Sequence, residues 1–209
     1  MIDLILIGGG GHCKACIDVI ESIGTYSIKG ILDLKDQVGK QVSGYEIIGT
    51  DDDITPFING HQFLITVGQL KSSAIRTRIF KFLTESGAQL ATIISPTAYV
   101  SKRAIINQGT IVMHHATVNT GAVLGVNCII NTGSNIEHDC SVGNHVHIST
   151  HAVANGDCKI GDECFVGSNA VLSNGIIIPS GTILGAGTVV YKTLDNPGVY
   201  AGNPSRQLT

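Results

Sequence analysis

The stretch Ile130-Asn131-Thr132-Gly133-Ser134-Asn135-Ile136-Glu137-His138-Asp139-Cys140-Ser141-Val142 repeats every six residues, with an aliphatic side chain at 130, 136 and 142 and a small one four places after each of the first two. The aliphatic register runs backward through Leu124, Val118, Val112, Ile106, Val100 and Ile94. It runs forward through Ile148, Ala154, Ile160, Val166, Leu172, Ile178, Leu184 and Val190, and no step is polar. The companion position holds Ala98, Ala104, Thr110, Ala116, Ala122, Cys128, Ala152, Cys158, Cys164, Ala170, Thr182 and Thr188 among others. A period of six is neither the 3.6 of a helix nor the alternation of a strand; it describes a triangular coil. Three hexads close one coil, and inward aliphatics stack at roughly 4.8 Å per coil. Seventeen hexads make nearly six coils. Each inward side chain adds roughly 1.5–3 kcal/mol before ordering entropy is subtracted, so the uninterrupted register predicts a parallel β-helix over 94–209.

Residues 1–93 follow a different pattern. Asp3–Ile7 reads as a buried strand, and Gly8-Gly9-Gly10-Gly11 then opens a helix whose Cys13, Cys16, Ile17 and Ile20 form one apolar stripe. Strands are predicted at Ile28–Leu32 and Phe63–Val67, and a second helix from about Ser72 to Glu85 with Ile75, Ile79, Phe82 and Leu83 inward. Alternating strand and helix implies a small parallel sheet, a Rossmann-like α/β domain joined to the β-helix near Pro96.

Composition narrows the function classes. Charged residues make up 14% of the 209, hydrophobic ones 43%, and there are 26 glycines and no tryptophan, which suits a fold of many tight turns. Thirteen scattered Lys and Arg against a net charge of -3 lack the basic footprint of nucleic-acid binding. The run Ile2–Ile7 is too short to span a bilayer and lacks a basic flank, so neither membrane insertion nor export is expected and a cytoplasmic location follows. Six cysteines are then expected as free thiols, four of them core filler at Cys128, Cys140, Cys158 and Cys164.

A strand, a Gly-rich turn and a helix N-terminus together make an anion site, since glycine lets backbone amides approach a pyrophosphate. Gly8, Gly10 and Gly11 fit the start of the dinucleotide fingerprint, but Cys13 stands where its third glycine belongs, which argues against NAD. Asp33, at the end of the second strand, is placed to accept from a ribose or base. A ligand-free turn is the competing reading. Cys13-Lys14-Ala15-Cys16 has redox spacing, yet both sulfurs sit on the apolar stripe, which favours packing.

His114, His115, His138, His145, His147 and His151 all miss the two core positions of the hexad. They are predicted to point outward, either as solvated wall residues or as chemistry. His115 and His151 lie two coils apart, a spacing that resembles the zinc histidines of carbonic-anhydrase-like β-helix proteins, but Gly156 stands where that family carries its third ligand, so no metal is expected. His138, followed by Asp139, is the better candidate for proton transfer, because a neighbouring carboxylate orients the ring and raises its basicity.

In combination, Gly10-Gly11-His12, Leu32-Asp33, Val67-Gly68, and Asn131-Thr132 followed by Ile136-Glu137-His138-Asp139 resemble the hexapeptide-repeat sugar acetyltransferases, in particular the bacterial UDP-4-amino-sugar N-acetyltransferases. The resemblance covers essentially the whole chain. It implies a left-handed β-helix, a homotrimer with sites between neighbouring chains, acetyl-CoA as cosubstrate, and a nucleotide-linked amino sugar as acceptor. It further implies His138 as general base and Asp139 as its acid partner. Asn131, His147, Ser168 and Ala186 fall on the acetyl-CoA side, Gly10, Gly11, His12, Asp33 and Gly68 on the nucleotide-sugar side, and Tyr200-Ala201-Gly202-Asn203-Pro204 borders the cofactor channel. Two departures bear on the substrate: Leu34 follows Asp33 where the family often has a second acid, and Asp139 replaces the more familiar Glu. The residues leave open the nucleotide, the sugar, an O-acetylating role on sialic-acid-type sugars, and a non-catalytic sugar-binding solenoid.

Overall fold

The structure, a computed structural model, describes residues 1–208. Its α/β domain contains β1 (Ile2–Ile7), α1 (Gly11–Ile23), β2 (Tyr26–Leu32), β3 (Gln41–Val42), β4 (Tyr45–Gly49), β5 (Gln62–Ile65), α2 (Ala74–Glu85) and β6 (Gln89–Leu90). The sheet order is β3-β4-β2-β1-β5-β6, parallel at every pairing except β3 with β4. Both faces of β1 are covered, which explains why its residues are apolar without alternation. Leu4 and Leu6 pack with Cys13, Cys16, Ile17 and Ile20 of α1, while Ile5 and Ile7 pack with Ile79 and Leu83 of α2.

The rest is a left-handed parallel β-helix of two-residue strands. Its first wall contains Ile93–Ile94, Ile111–Val112, Ile129–Ile130, His147–Ile148, Phe165–Val166 and Ile183–Leu184. Its second contains Tyr99–Val100, Thr117–Val118, Asn135–Ile136, Val153–Ala154, Val171–Leu172 and Val189–Val190. Its third contains Ile105–Ile106, Val123–Leu124, Ser141–Val142, Lys159–Ile160 and Ile177–Ile178. Every pairing among these strands joins residues 18 apart, as Ile130 with Ile148, so the six-residue register becomes vertical stacks. From Val112 to Val190 the inward aliphatics are buried. Ile94, Val100 and Ile106 are less so, because their coil has none beneath it. At the other end Val199–Ala201 pairs with Ile183–Leu184, and Tyr200 closes the core.

Each coil turns at a left-handed residue. Positions 109 to 187, taken every sixth, all have φ between 54° and 74°, and glycine or Asn, Asp, His and Glu occupy them. Left-handed backbone is costly for most side chains and least so for Gly, Asn, Asp and His, so His115, His145 and His151 owe their places to corner geometry.

Several expectations need correction. Helix α2 begins at Ala74, and its buried stripe is Arg76, Ile79 and Leu83; Ile75 and Phe82 are 57% and 44% exposed. A stripe containing an arginine did not register as apolar. The β3–β4 hairpin and β6 lie outside the predicted strands; β3 and β6, at two residues each, carry little periodicity. The first wall is not a free surface either: outward Ile111, Met113 and Ile129 are fully buried because α1 lies between this wall and the sheet.

Ile148→Ala, in the fully buried stack, is expected to cost about 2–5 kcal/mol, whereas the outward Ile105→Ala should stay within about 0.5 kcal/mol. Urea melts of the two variants beside the parent test the difference.

Candidate active site

At the carboxyl edge of the sheet, Gly8 turns with φ 103° so tightly against Val67 that a Cβ would strike the Val67 side chain at 2.5 Å. Asp33 holds the same turn, accepting from Gly9 N at 2.8 Å and from Leu34 N at 2.8 Å. Helix α1 then starts after Gly10 with no side-chain cap and no acidic residue in its first turn, and the space in front of Gly10 and Gly11 is open. Free amides and the helix dipole therefore face that space, a setting for an anion. A cavity of about 250 Å³ adjoins it, lined by Gly8, Asp33, Asp51, Val67, Ile75 and Arg78 among others. Ile75 is exposed because it lines this cavity.

His12 sits at the start of α1 facing Gly68, where an added Cβ would come 3.6 Å from the His12 Cβ, and its ring centroid lies 6.4 Å from that of His147. His147 points outward from its coil yet is only 6% exposed, because the segment after β5 covers it. Its Nδ1–H donates to the Gln69 carbonyl at 2.7 Å, which leaves Nε2 to accept from Asn131 Nδ2 at 3.1 Å. Burial first, then the nearby Arg76 charge, pull His147 down to about 4 against the lift from Gln69, and burial, Arg76 and His147 bring His12 to about 3. Both rings are neutral bases at physiological pH.

Beside His147 the corner between the first and second walls forms one column. Asn131-Thr132, Ser149-Thr150, Gly167-Ser168 and Gly185-Ala186 succeed one another at intervals of 18, so Asn131, Ser168 and Ala186 line one edge over four coils. Ser149 and Ser168 hydroxyls lie 2.9 Å apart. This edge is nearly bare of large side chains. Gln69, whose Nε2 donates to Cys164 O at 3.3 Å, lies against the first wall, and its buried Oε1 has no partner.

His138 and Asp139 occupy the other corner of the second wall. His138 Nδ1–H donates to Asp139 Oδ2 at 2.9 Å, leaving Nε2 free, and that hydrogen bond raises the imidazole above its ordinary value. The register explains the fit. Gly156, one coil on, lies under the ring, where a Cβ would meet Cε1 and Nε2 at 2.5 Å, and Gly121, one coil back, leaves room for the Asp139 carboxylate. Glu137 is fixed by Asn119 at 2.8 Å and Asn135 at 2.9 Å, and those bonds lower its carboxyl.

The structure thus brings Gly10, Gly11, His12, Asp33, Gly68, His147 and Asn131 to one side, with Ser168 and Ala186 continuing the column. It sets His138 and Asp139 a whole wall away in the same chain. Sequence reasoning missed Gln69, Arg76 and the place of Gly156 beneath His138. Of these Gly156 was legible, standing 18 residues after His138. Cys13 and Cys16 are buried and burial pushes both thiols up, with Cys16 Sγ 3.4 Å from His12 Nε2, so the pair belongs to the core.

A family model described as the PglD N-terminal domain matches residues 3–83, and one described as the hexapeptide repeat of succinyl-transferase matches 158–192. The acetyltransferase domain of PglB from Neisseria gonorrhoeae FA1090 is 33% identical, with 100% of each chain covered and a TM-score of 0.91. That domain has also been solved with acetyl coenzyme A. PerB from Caulobacter crescentus, solved with CoA and GDP-perosamine, is 28% identical over 99% of this chain and 97% of its own, with a TM-score of 0.90. An uncharacterized protein, L142, of Acanthamoeba polyphaga mimivirus is 36% identical over 110 residues; these are 53% of this chain, which spans 21% of the viral protein.

Because His12 and His147 titrate lower folded than unfolded, the unfolded chain takes up protons first as pH falls below about 6.5. Stability should therefore decline from pH 6.5 toward 4, with His147 accounting for up to about 3 kcal/mol. Urea midpoints at pH 7 and 4.5 should fall further for the parent than for His147→Gln.

Proposed function

Because this chain belongs to the hexapeptide-repeat sugar acetyltransferase family that includes the gonococcal PglB acetyltransferase domain, we propose that it moves acetyl from acetyl-CoA to the amino group of a nucleotide-linked 4-amino sugar. The observation that carries this reading is the pairing of an anion-ready Gly8–Gly11 loop with a bare corner column across the His12–His147 contact. The loop suits a nucleotide diphosphate; the column suits the cofactor's arm.

Acetyl-CoA supplies a thioester carbonyl carbon as electrophile. The sugar amine attacks it, a C–N bond forms as the C–S bond breaks, and the proton shed by the amine passes to His138 Nε2 and on to the leaving thiolate. Asp139 holds Nδ1–H throughout, which fixes the tautomer and makes Nε2 a better base. Asn131 keeps one amide N–H on His147 and has a second with which to stabilise negative charge on the carbonyl oxygen. His147, neutral and hydrogen-bonded at both nitrogens, orients Asn131.

One wall separates His138 from Asn131 within a chain, so we propose a homotrimer in which His138 of one chain completes a neighbour's column. Among the described residues no helix is long and apolar enough to cross a membrane.

Thiol release from acetyl-CoA, measured with UDP-, GDP- and dTDP-linked 4-amino sugars beside free sialic acid, tests the reading. Turnover with one amino sugar supports it; turnover with sialic acid alone replaces it with O-acetylation, and no CoA binding at all leaves a binding solenoid. His138→Ala should lose roughly 10²–10⁴ of turnover while remaining folded. Asp139→Asn should shift the acidic limb of the kcat profile to lower pH, since losing the carboxylate lowers the imidazole's pKa.

A further inference from the structure

Arg76 is 1% exposed at the junction of the two domains, and no carboxylate pairs with it among the described residues. Its partners are all neutral. Nη1 donates to Ile65 O at 2.8 Å and Val67 O at 2.6 Å; Nη2 donates to Asn127 O at 3.0 Å and Asn127 Oδ1 at 2.6 Å; Nε has no partner. Burial lowers the guanidinium to about 10, so it stays charged at neutral pH. A buried cation without a counter-ion is costly, and the usual remedy is a carboxylate.

The remedy is one atom away. Asn127 is a left-handed corner residue with φ 54°, and equivalent corners hold Asp139 at 62° and Asp157 at 61°. The backbone accepts either residue, and an aspartate at 127 would neutralise the charge in place. Asparagine leaves it standing.

One short run of backbone links that charge to both buried imidazoles. Val67 O accepts from Arg76, Gly68 lies against His12, and Gln69 O accepts from His147. Other titratable groups at the junction are Cys16 on α1, and Cys128 and His145 on the coils; Asp162 and Glu163 act on His145 from an exposed corner.

We propose that Arg76 is an electrostatic positioning residue, whose uncompensated charge adds to burial in disfavouring a second positive charge on the His12–His147 pair and favours the diphosphate of the nucleotide-linked substrate at the Gly8–Gly11 loop. The diphosphate half rests on the proposed function; the imidazole half does not.

Asn127→Asp and Arg76→Lys separate charge from shape. The first neutralises the guanidinium while keeping the bonds the guanidinium donates and giving up the long Asn127 Nδ2 bond to Arg76 O at 3.4 Å; His145 Nδ1, which now accepts from Asn127 at 3.0 Å, answers by a tautomer shift. The second keeps the charge and loses the fork. Two readouts apply: NMR titration of the His12 and His147 rings between pH 3 and 7, with His147 crossing its midpoint near 4 in the parent, and calorimetric binding of UDP and of GDP. In Asn127→Asp the ring pKa values should rise by about one pH unit and nucleotide affinity should fall about tenfold. Arg76→Lys should melt lower yet keep the ring titrations and stay within about threefold in affinity. Unchanged rings and affinity in Asn127→Asp would overturn the proposal, as would an Arg76→Lys variant that copies Asn127→Asp. If the parent binds neither nucleotide, the diphosphate half falls with the substrate reading, and the ring titrations alone decide the other half.

Discussion

Vertical stacking at intervals of 18 residues is the constraint from which the rest of this molecule follows. It buries the aliphatic column, and it also decides which side chains can sit above one another on the outside. The His138 ring lies where Gly156 has no side chain, and the Asp139 carboxylate lies over Gly121. Small residues at successive corners give the column from Asn131 to Ala186 its bare edge. A repeat that looks purely structural thus prescribes where chemistry has room.

The α/β domain turns a wall of the solenoid into an interior. Covering the first wall removes water from His147, and the segment Val67 to Gln69 supplies its hydrogen-bond partner and Arg76's. Desolvation at this junction keeps two imidazoles neutral, whereas His138 on its open corner is tuned by a single carboxylate. The two kinds of histidine are suited to different work. The buried pair fixes geometry, and the exposed one is free to exchange a proton.

Most of the architecture was legible because a period of six admits few solutions. The inward register from Val112 to Val190, the α1 stripe and the Gly-rich turn all appear where spacing puts them. What the sequence concealed was tertiary cover. His147 shares its outward register with Ile111 and Ile129, and those two aliphatics were the available sign that this wall is not wet. In α2 a buried arginine at the head of the true stripe shifted the apparent apolar face toward Ile75 and Phe82. Asp33 was read as a ligand contact; its two oxygens hold Gly9 and Leu34, which makes support of the loop its visible role. Catalytic roles for His138 and Asp139 rest on the motif and on the geometry of their corner.

The central claim is that the working site takes His138 from one chain and the Asn131–His147 column from its neighbour. Complementation tests it most directly: two inactive variants, His138→Ala and His147→Ala, are unfolded together, refolded as a mixture, and assayed for thiol release. Sites shared between chains should restore about a quarter of parental turnover in an equal mixture, since one site in four then receives both intact halves. A mixture as inactive as either variant alone would contradict the account.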